Sequence, residues 1–173
     1  MELILIRHLK TPGNEKRQYI GSTDEELSEQ EVLNFKQKYK IDSYPQVQQV
    51  IVSPMKRCIQ TAELIYPKNQ ITQEVLLKEC DFGIFEGLTY KQLKGKYPQE
   101  LEQWNKELST YRIPEGESFL DVRRRVEAFL KDIPSGEENK SEKMLITAHK
   151  GTLGHLLAAM LKLPPEGYWN FVF

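Results

Sequence analysis

The chain has 173 residues, 28% of them charged, with both signs interspersed to a formal net charge of −1. That mixture leaves no basic stripe for nucleic acid and no polybasic tail for an anionic membrane surface, and the apolar runs are too short to span a bilayer. The length predicts one domain over 1–173. The N-terminus enters a strand at once, which predicts no signal peptide, and Cys58 and Cys80 lack metal-type spacing and read as reduced thiols of a cytoplasmic protein.

In chain order, Leu3-Ile4-Leu5-Ile6 reads as a buried strand that delivers Arg7-His8 into the aperiodic segment Leu9 to Asn14. A helix is predicted from Ser28 to about Tyr39, with Ser28 and Glu31 as a capping box. Val47 to Val52 reads as the next strand, ending at Ser53-Pro54. Ser53 suits an N-cap and Pro54 the first position of a helix to about Ile65, which projects Arg57 near a helix end carrying partial positive charge. An extended stretch, Ile71 to Leu77, leads to Glu79. Helical pieces follow at Tyr90–Tyr97 and Pro98–Leu108, and Ser118 with Asp121 caps a helix through Val126, Phe129 and Leu130. After a polar loop at Gly136–Ser141, the strand Met144–Ala148 delivers His149-Lys150-Gly151 into a helix carrying Leu153, Leu156, Leu157 and Met160. Tyr168 to Phe173 reads as a last strand. No internal repeat or low-complexity tract is present, and the alternation of strands and helices predicts a three-layer α/β/α sandwich with a mostly parallel central sheet.

Two of the three histidines thus follow buried strands directly. In open α/β sheets the crevice at the carboxyl ends of the strands is where ligands bind. Arg7, His8, Arg57 and His149 come from three strand ends and make a cationic pocket suited to a phosphoryl group. Alone, His8 reads equally as a core histidine, but a partly buried guanidinium beside it needs an anion. Glu79 on residue type alone is a solvated loop carboxylate, with Asp81 and Glu86 as rivals for any acid role. Asn14 could donate its amide to a phosphate oxygen or simply form a turn with Gly13; Thr11 and Ser22 are minor candidate ligands. His155 reads as structural and Cys58 as packing. Two flanking arginines would repel a metal cation, and no G-x-G-x-x-G follows the first strand, which argues against a dinucleotide cofactor.

Six blocks in collinear order resemble the histidine phosphatase superfamily, the phosphoglycerate-mutase-like proteins. Arg7-His8-Leu9-Lys10-Thr11 with Asn14 is similar to its Arg-His-Gly-x-Thr opening. Gly21-Ser22-Thr23-Asp24 looks like the block that follows, and Ser53-Pro54-Met55-Lys56-Arg57 with Thr61-Ala62 resembles Ser-Pro-Leu-x-Arg-Ala-x-x-Thr-Ala. Glu79 through Gly87 resembles Glu-x-x-Phe-Gly-x-x-Glu-Gly, Pro114 to Ser118 resembles Pro-Gly-Gly-Glu-Ser, and Ala148-His149-Lys150-Gly151 resembles Ser-His-Gly-Gly. The resemblance implies a cofactor-independent, metal-free phosphomonoesterase acting on a small phosphorylated metabolite through a phosphohistidine on His8. Arg7, Arg57 and His149 would hold the phosphoryl oxygens, Glu79 would move protons, and Asn14, Thr11, Gly21, Ser22 and Lys150 would contact phosphate or substrate. It also implies a variable helical lid over about 88–116. Among short relatives the α-ribazole phosphatases look nearest, which makes α-ribazole 5′-phosphate a candidate substrate. A phosphoglycerate mutase and a non-catalytic phosphate-binding module are the alternatives, and the oligomeric state stays open. Three departures stand out: Leu9 in place of glycine, which excludes a positive φ there; Lys150 in place of a small residue, which adds a charge at the pocket; and a chain that stops at Phe173 where many relatives continue.

Overall fold

The apolar run after Met1 forms β1 (Glu2–Arg7) in a computed structural model that describes residues 1–39, 43–133 and 142–173. Three further strands join it: β2 (Gln49–Val52), β3 (Ile71–Gln73) and β4 (Lys143–Ala148), in the order β1-β4-β2-β3, with every pair parallel. The last strand in sequence therefore occupies the middle of the sheet. Met144 to Ala148 are all buried, as expected for a parallel strand covered on both faces, which reads as a continuous apolar run rather than an alternation.

The side chains of β4 divide two cores between them. Leu145 joins Val50 and Val52 beneath α2 (Glu29–Lys38) and α3 (Lys56–Ile65), through Phe35, Ala62 and Ile65. Met144, Ile146 and Ala148 face the other way, onto Val126 and Phe129 of α6 (Phe119–Asp132) and Leu153 and Leu156 of α7 (Lys150–Met160). Helices on both faces of a parallel sheet make the three-layer α/β/α sandwich that the sequence predicts. A third core lies beyond the sheet, where Leu93 of α4 (Tyr90–Lys96) and Leu101 and Trp104 of α5 (Pro98–Lys106) pack on Phe85, Ile113, Phe119 and Tyr168.

Several local expectations need correction. The aperiodic segment after His8 contains a short helix, α1 (Pro12–Glu15), capped by a reciprocal Thr11–Asn14 box. Ser28 does cap α2, accepting from the Glu31 amide, but its own amide donates to the Lys10 carbonyl, so the return half of the box is absent. Helix α3 starts two residues later than predicted and Ser53 is not its N-cap. Instead the Asp24 carboxylate accepts from the Lys56 amide at 2.8 Å, a cap supplied from 32 residues away. The extended stretch predicted over Ile71–Leu77 is strand only to Gln73, then a 3₁₀ turn at Val75–Leu77. The last predicted strand is a 3₁₀ segment, Pro165–Asn170, that lies on α7; consecutive prolines at 164 and 165 start it with helical φ. The predicted Ser118–Asp121 capping box of α6 is present in full. The polar loop predicted at Gly136–Ser141 lies outside the described residues.

Leu9 has no positive φ, as its side chain requires, but Glu115 does, at φ +63°. It stands where the family motif carries glycine, and a left-handed non-glycine residue is strained by 1 kcal/mol or more, on the order of magnitude generally found. Glu115→Gly should therefore raise stability by about 1 kcal/mol despite the added freedom of the unfolded chain. Urea denaturation should show a higher midpoint with an unchanged slope.

Candidate active site

The strand ladders run on past the strands and so place the site. The His8 amide donates to the Ala148 carbonyl at 3.0 Å and the Ser53 amide to the Thr147 carbonyl at 2.9 Å. His8, Ser53 and His149 thereby sit side by side at the carboxyl edge of the sheet, with the His8 and His149 rings 5.0 Å apart between centroids at 63°.

His8 is nine-tenths buried, and its Nδ1 lies 2.6 Å from the Leu9 carbonyl. A carbonyl can only accept, so Nδ1 carries the hydrogen and Nε2 is left with a lone pair that has no partner among the described residues. Burial, and then the charges of Arg57 and Arg7, lower the His8 pKa to about 3, against a raising contribution from Leu9. The ring is neutral near pH 7. His149 is fully buried and its pKa is also lowered well below the usual value, by burial first and then by Arg57 and His8.

Arg57, expected to aim at a bound anion, is held from within the protein on each of its nitrogens. It has no solvent exposure, and each guanidinium nitrogen donates within the protein: Nη1 to the Thr23 carbonyl and Nη2 to the Gly21 carbonyl, both at 2.7 Å, and Nε to His149 Nδ1 at 3.2 Å. Arg7 is the guanidinium that lines the cavity. Its Nη1 donates to the Phe173 carbonyl at 3.1 Å, and its buried Nε has no partner among the described residues.

The three candidate carboxylates separate by geometry. Glu79 lines the cavity and accepts from the Gly151 and Thr152 amides at 3.1 and 3.2 Å. These are early amides of α7, whose N-cap His149 makes no side-chain cap bond. Glu79 thus caps α7 from outside the helix and meets the positive end of its dipole. The fit is close at Gly151, where a Cβ would lie 2.7 Å from Glu79 Oε1 and would displace the carboxylate. Asp81 turns instead to the Ser22 hydroxyl and the Gly83 amide, and Glu86 is taken up by the turn Gly21–Thr23.

The remaining predicted residues divide. Asn14 and Lys150 line the cavity, and Lys150 is exposed at the first position of α7. Thr11 is fully buried and serves the α1 cap. Gly21 and Ser22 line a second cavity on the far side of Glu79, with Asp81 and Arg125. Gly21 is packed so tightly that a Cβ would meet the Cys80 carbonyl oxygen at 1.8 Å.

Sequence reasoning missed two features. Arg125 donates to the carbonyls of Leu76, Lys78 and Glu79 and pairs with Glu117, fixing the backbone that carries Glu79; nothing in its local pattern marks it. The cavity, of about 280 Å³, also has an aromatic wall formed by Tyr19, Phe82, Trp104, Phe119, Tyr168, Trp169 and Phe171. These rings come from scattered segments, and only the fold assembles them. His155 lies behind the wall, as expected of a structural residue. It stacks on Tyr168 with centroids 4.2 Å apart, is fully buried, and neither ring nitrogen has a partner among the described residues. Among the described residues, no cluster of three His, Cys, Asp or Glu side chains is placed to hold a metal ion, and no helix is long and apolar enough to cross a membrane.

The family model described as Histidine phosphatase superfamily (branch 1) matches residues 3–173. Phosphoserine phosphatase 1 of Hydrogenobacter thermophilus is 27% identical over 99% of this chain and 81% of its own length. A probable phosphoglycerate mutase of Yersinia enterocolitica is 30% identical over 96% of this chain and 77% of its own. The crystal structure of the α-ribazole phosphatase from Shigella flexneri superposes with a TM-score of 0.86 at 26% identity, covering 99% of this chain and 85% of that one.

Low imidazole pKa values have a consequence for stability. His8 and His155 both titrate at about 3 in the fold, and His155 is lowered by burial, then by Arg123 and Arg125. An unfolded histidine titrates near 6.5. The stability these neutral rings confer is therefore fully present above about pH 6.5 and is lost as pH falls towards 3. Replacing His155 by Phe keeps the stack on Tyr168 and removes one of those protons. The variant should show a shallower loss of unfolding free energy between pH 6.5 and 4; an unchanged slope would mean that His155 takes up no proton on unfolding.

Proposed function

The chain belongs to the histidine phosphatase superfamily, and from that membership and the geometry around His8 we propose that it is a phosphomonoesterase that passes the phosphoryl group through His8 Nε2. The observation that carries this reading is the fixed tautomer of His8. With Nδ1–H committed to Leu9, the Nε2 lone pair is the ring's reactive position, and it stands beside Arg7, whose buried Nε lacks an acceptor. Nε2 attacks phosphorus, the P–O ester bond breaks, and the leaving oxygen takes a proton from Glu79. Water then attacks the phosphohistidine, returns a proton to Glu79 and releases inorganic phosphate, so one hard step becomes two easier ones. Arg7 offsets charge on the phosphoryl oxygens, and Arg57 and His149 act from behind the cavity wall.

The substrate is a small phosphorylated metabolite. Seven aromatic side chains on the wall of a cavity of about 280 Å³ favour a leaving group with a planar apolar surface. α-Ribazole 5′-phosphate is the candidate we place first, in keeping with the likeness to the Shigella enzyme. The two free cysteines suit a reducing compartment, so we place the protein in the cytoplasm. The likeness to the Yersinia protein keeps phosphoglycerate mutase as the second reading. Assay of free phosphate against isomerised phosphoglycerate separates the two, and the absence of both would leave only a phosphate-binding module.

His8→Ala should lower turnover by more than about a hundredfold with the fold intact by circular dichroism. Label from a phosphorylated substrate should be trapped on His8 of the unsubstituted protein and on no other residue. Glu79→Gln should slow an alkyl phosphate far more than p-nitrophenyl phosphate, whose leaving group departs without a proton. Equal slowing of both substrates would remove Glu79 from the acid role.

A further inference from the structure

We propose that Glu86 is a positioning residue: by gripping the turn Gly21–Thr23 it holds Arg57, and through Arg57 it fixes the orientation and tautomer of His149. The kinetic part of this inference rests on the phosphatase reading above; the structural part does not.

The Glu86 carboxylate accepts from the amides of Gly21 and Ser22, each at 2.9 Å, of Thr23 at 3.3 Å and of Phe82 at 3.0 Å. The Thr23 hydroxyl adds a fifth bond at 2.6 Å. Three consecutive amides converging on one carboxylate form an anion-binding nest, so the charge of Glu86 sets the direction of those peptide planes. Peptide planes are rigid. Turning the Ser22 amide towards Glu86 therefore also directs the Gly21 carbonyl, which shares its peptide plane, and the Thr23 carbonyl leaves the residue whose amide and hydroxyl Glu86 holds; both carbonyls accept from Arg57 at 2.7 Å.

The next link is forced by chemistry. A guanidinium in a protein keeps its proton and can only donate. Arg57 Nε therefore donates to His149 Nδ1 at 3.2 Å, and Nδ1 must carry the lone pair. In the neutral ring the hydrogen then sits on Nε2, which donates to Ser53 Oγ at 2.8 Å. His149 is thus held at both nitrogens, in the tautomer opposite to that of His8, and the chain of contacts that holds it ends at Glu86. Without the carboxylate, three amides would have to find other acceptors, the turn would be free to rotate, and Arg57 would lose the two carbonyls that orient it.

A staple that only stabilised the fold would make a different prediction from a positioning residue. Histidine-labelled protein without substrate, examined by long-range ¹H–¹⁵N correlation, reports each ring's tautomer directly. Unsubstituted protein should show His149 with the hydrogen on Nε2. In Glu86→Gln the His149 nitrogen signals should move towards a mixture of tautomers while those of His8 stay in place, and kcat should fall by on the order of tenfold with little change in KM. Thr23→Val removes one of the five contacts and keeps the charge, so it should show the same changes in smaller degree; it also carries the test if Glu86→Gln does not fold. Ser53→Ala, which removes the acceptor of the Nε2 hydrogen, serves as the positive control for a disturbed ring. Unchanged His149 signals in both folded variants would overturn the inference and leave Glu86 as a structural staple. Should His8→Ala retain full turnover, the phosphatase mechanism fails, yet the nitrogen signals still decide whether Glu86 positions His149.

Discussion

A guanidinium buried beyond the reach of water is the constraint from which the rest of the site follows. Arg57 has no exposed surface, and a desolvated cation is tolerated only where its donors are matched by acceptors. Two carbonyls of one turn and one imidazole nitrogen accept from three of its five N–H groups, one at each nitrogen. Burial, and then the same positive charge, keeps the two histidines of the candidate site from taking up protons. One residue therefore anchors the turn, sets the His149 tautomer and adds to the burial that keeps the neighbouring rings neutral.

Carboxylates near the site are numerous, and their roles are assigned by what surrounds them. Glu86 is saturated by amides and a hydroxyl, Glu117 by the Asp81 amide and Arg125, and Asp81 by Ser22 and Gly83. Glu79 alone of these four lines the cavity that holds His8. It does so while capping α7, which ties its position to the helix that also begins at His149. Arg125 fixes the backbone on the other side of Glu79 through the carbonyls of Leu76, Lys78 and Glu79. The proposed proton donor and the second histidine therefore belong to one rigid corner of the fold.

The strands and the residues at their ends were legible in the sequence because a parallel strand covered on both faces must be apolar throughout, and such runs leave little ambiguity about where Arg7, His8 and His149 emerge. Caps made from a distance were not legible. Asp24 replaces Ser53 at the start of α3, and Glu79 serves α7; neither partner is near in sequence. Ser53 looks like an N-cap from its neighbours, yet its hydroxyl is used by His149. The tail from Tyr168 to Phe173 has strand-like composition because aromatic residues favour strands, but here the aromatic side chains pack on His155 and line the cavity. For Arg57, a helix start near a strand end gave its location, but not the two carbonyls of the Gly21–Thr23 turn that also hold it.

The environment of His8 also separates two electrophiles that compete for the same lone pair. A bare proton on Nε2 would place net positive charge among Arg7, Arg57 and a buried ring, and a pKa of about 3 expresses how strongly this is resisted. A phosphoryl group brings negative oxygens with it, so the charge that forms on the ring is offset within the group that creates it, and Arg7 faces an anion. As positive charge develops on the imidazole, the Nδ1–H bond to Leu9, 2.6 Å long in the free protein, becomes charge-assisted. An interaction that strengthens as the reaction proceeds lowers the barrier, whereas one of constant strength does not. In the proposed chemistry burial and then the arginines keep the nucleophile unprotonated, and the Leu9 bond strengthens as the phosphoryl group arrives.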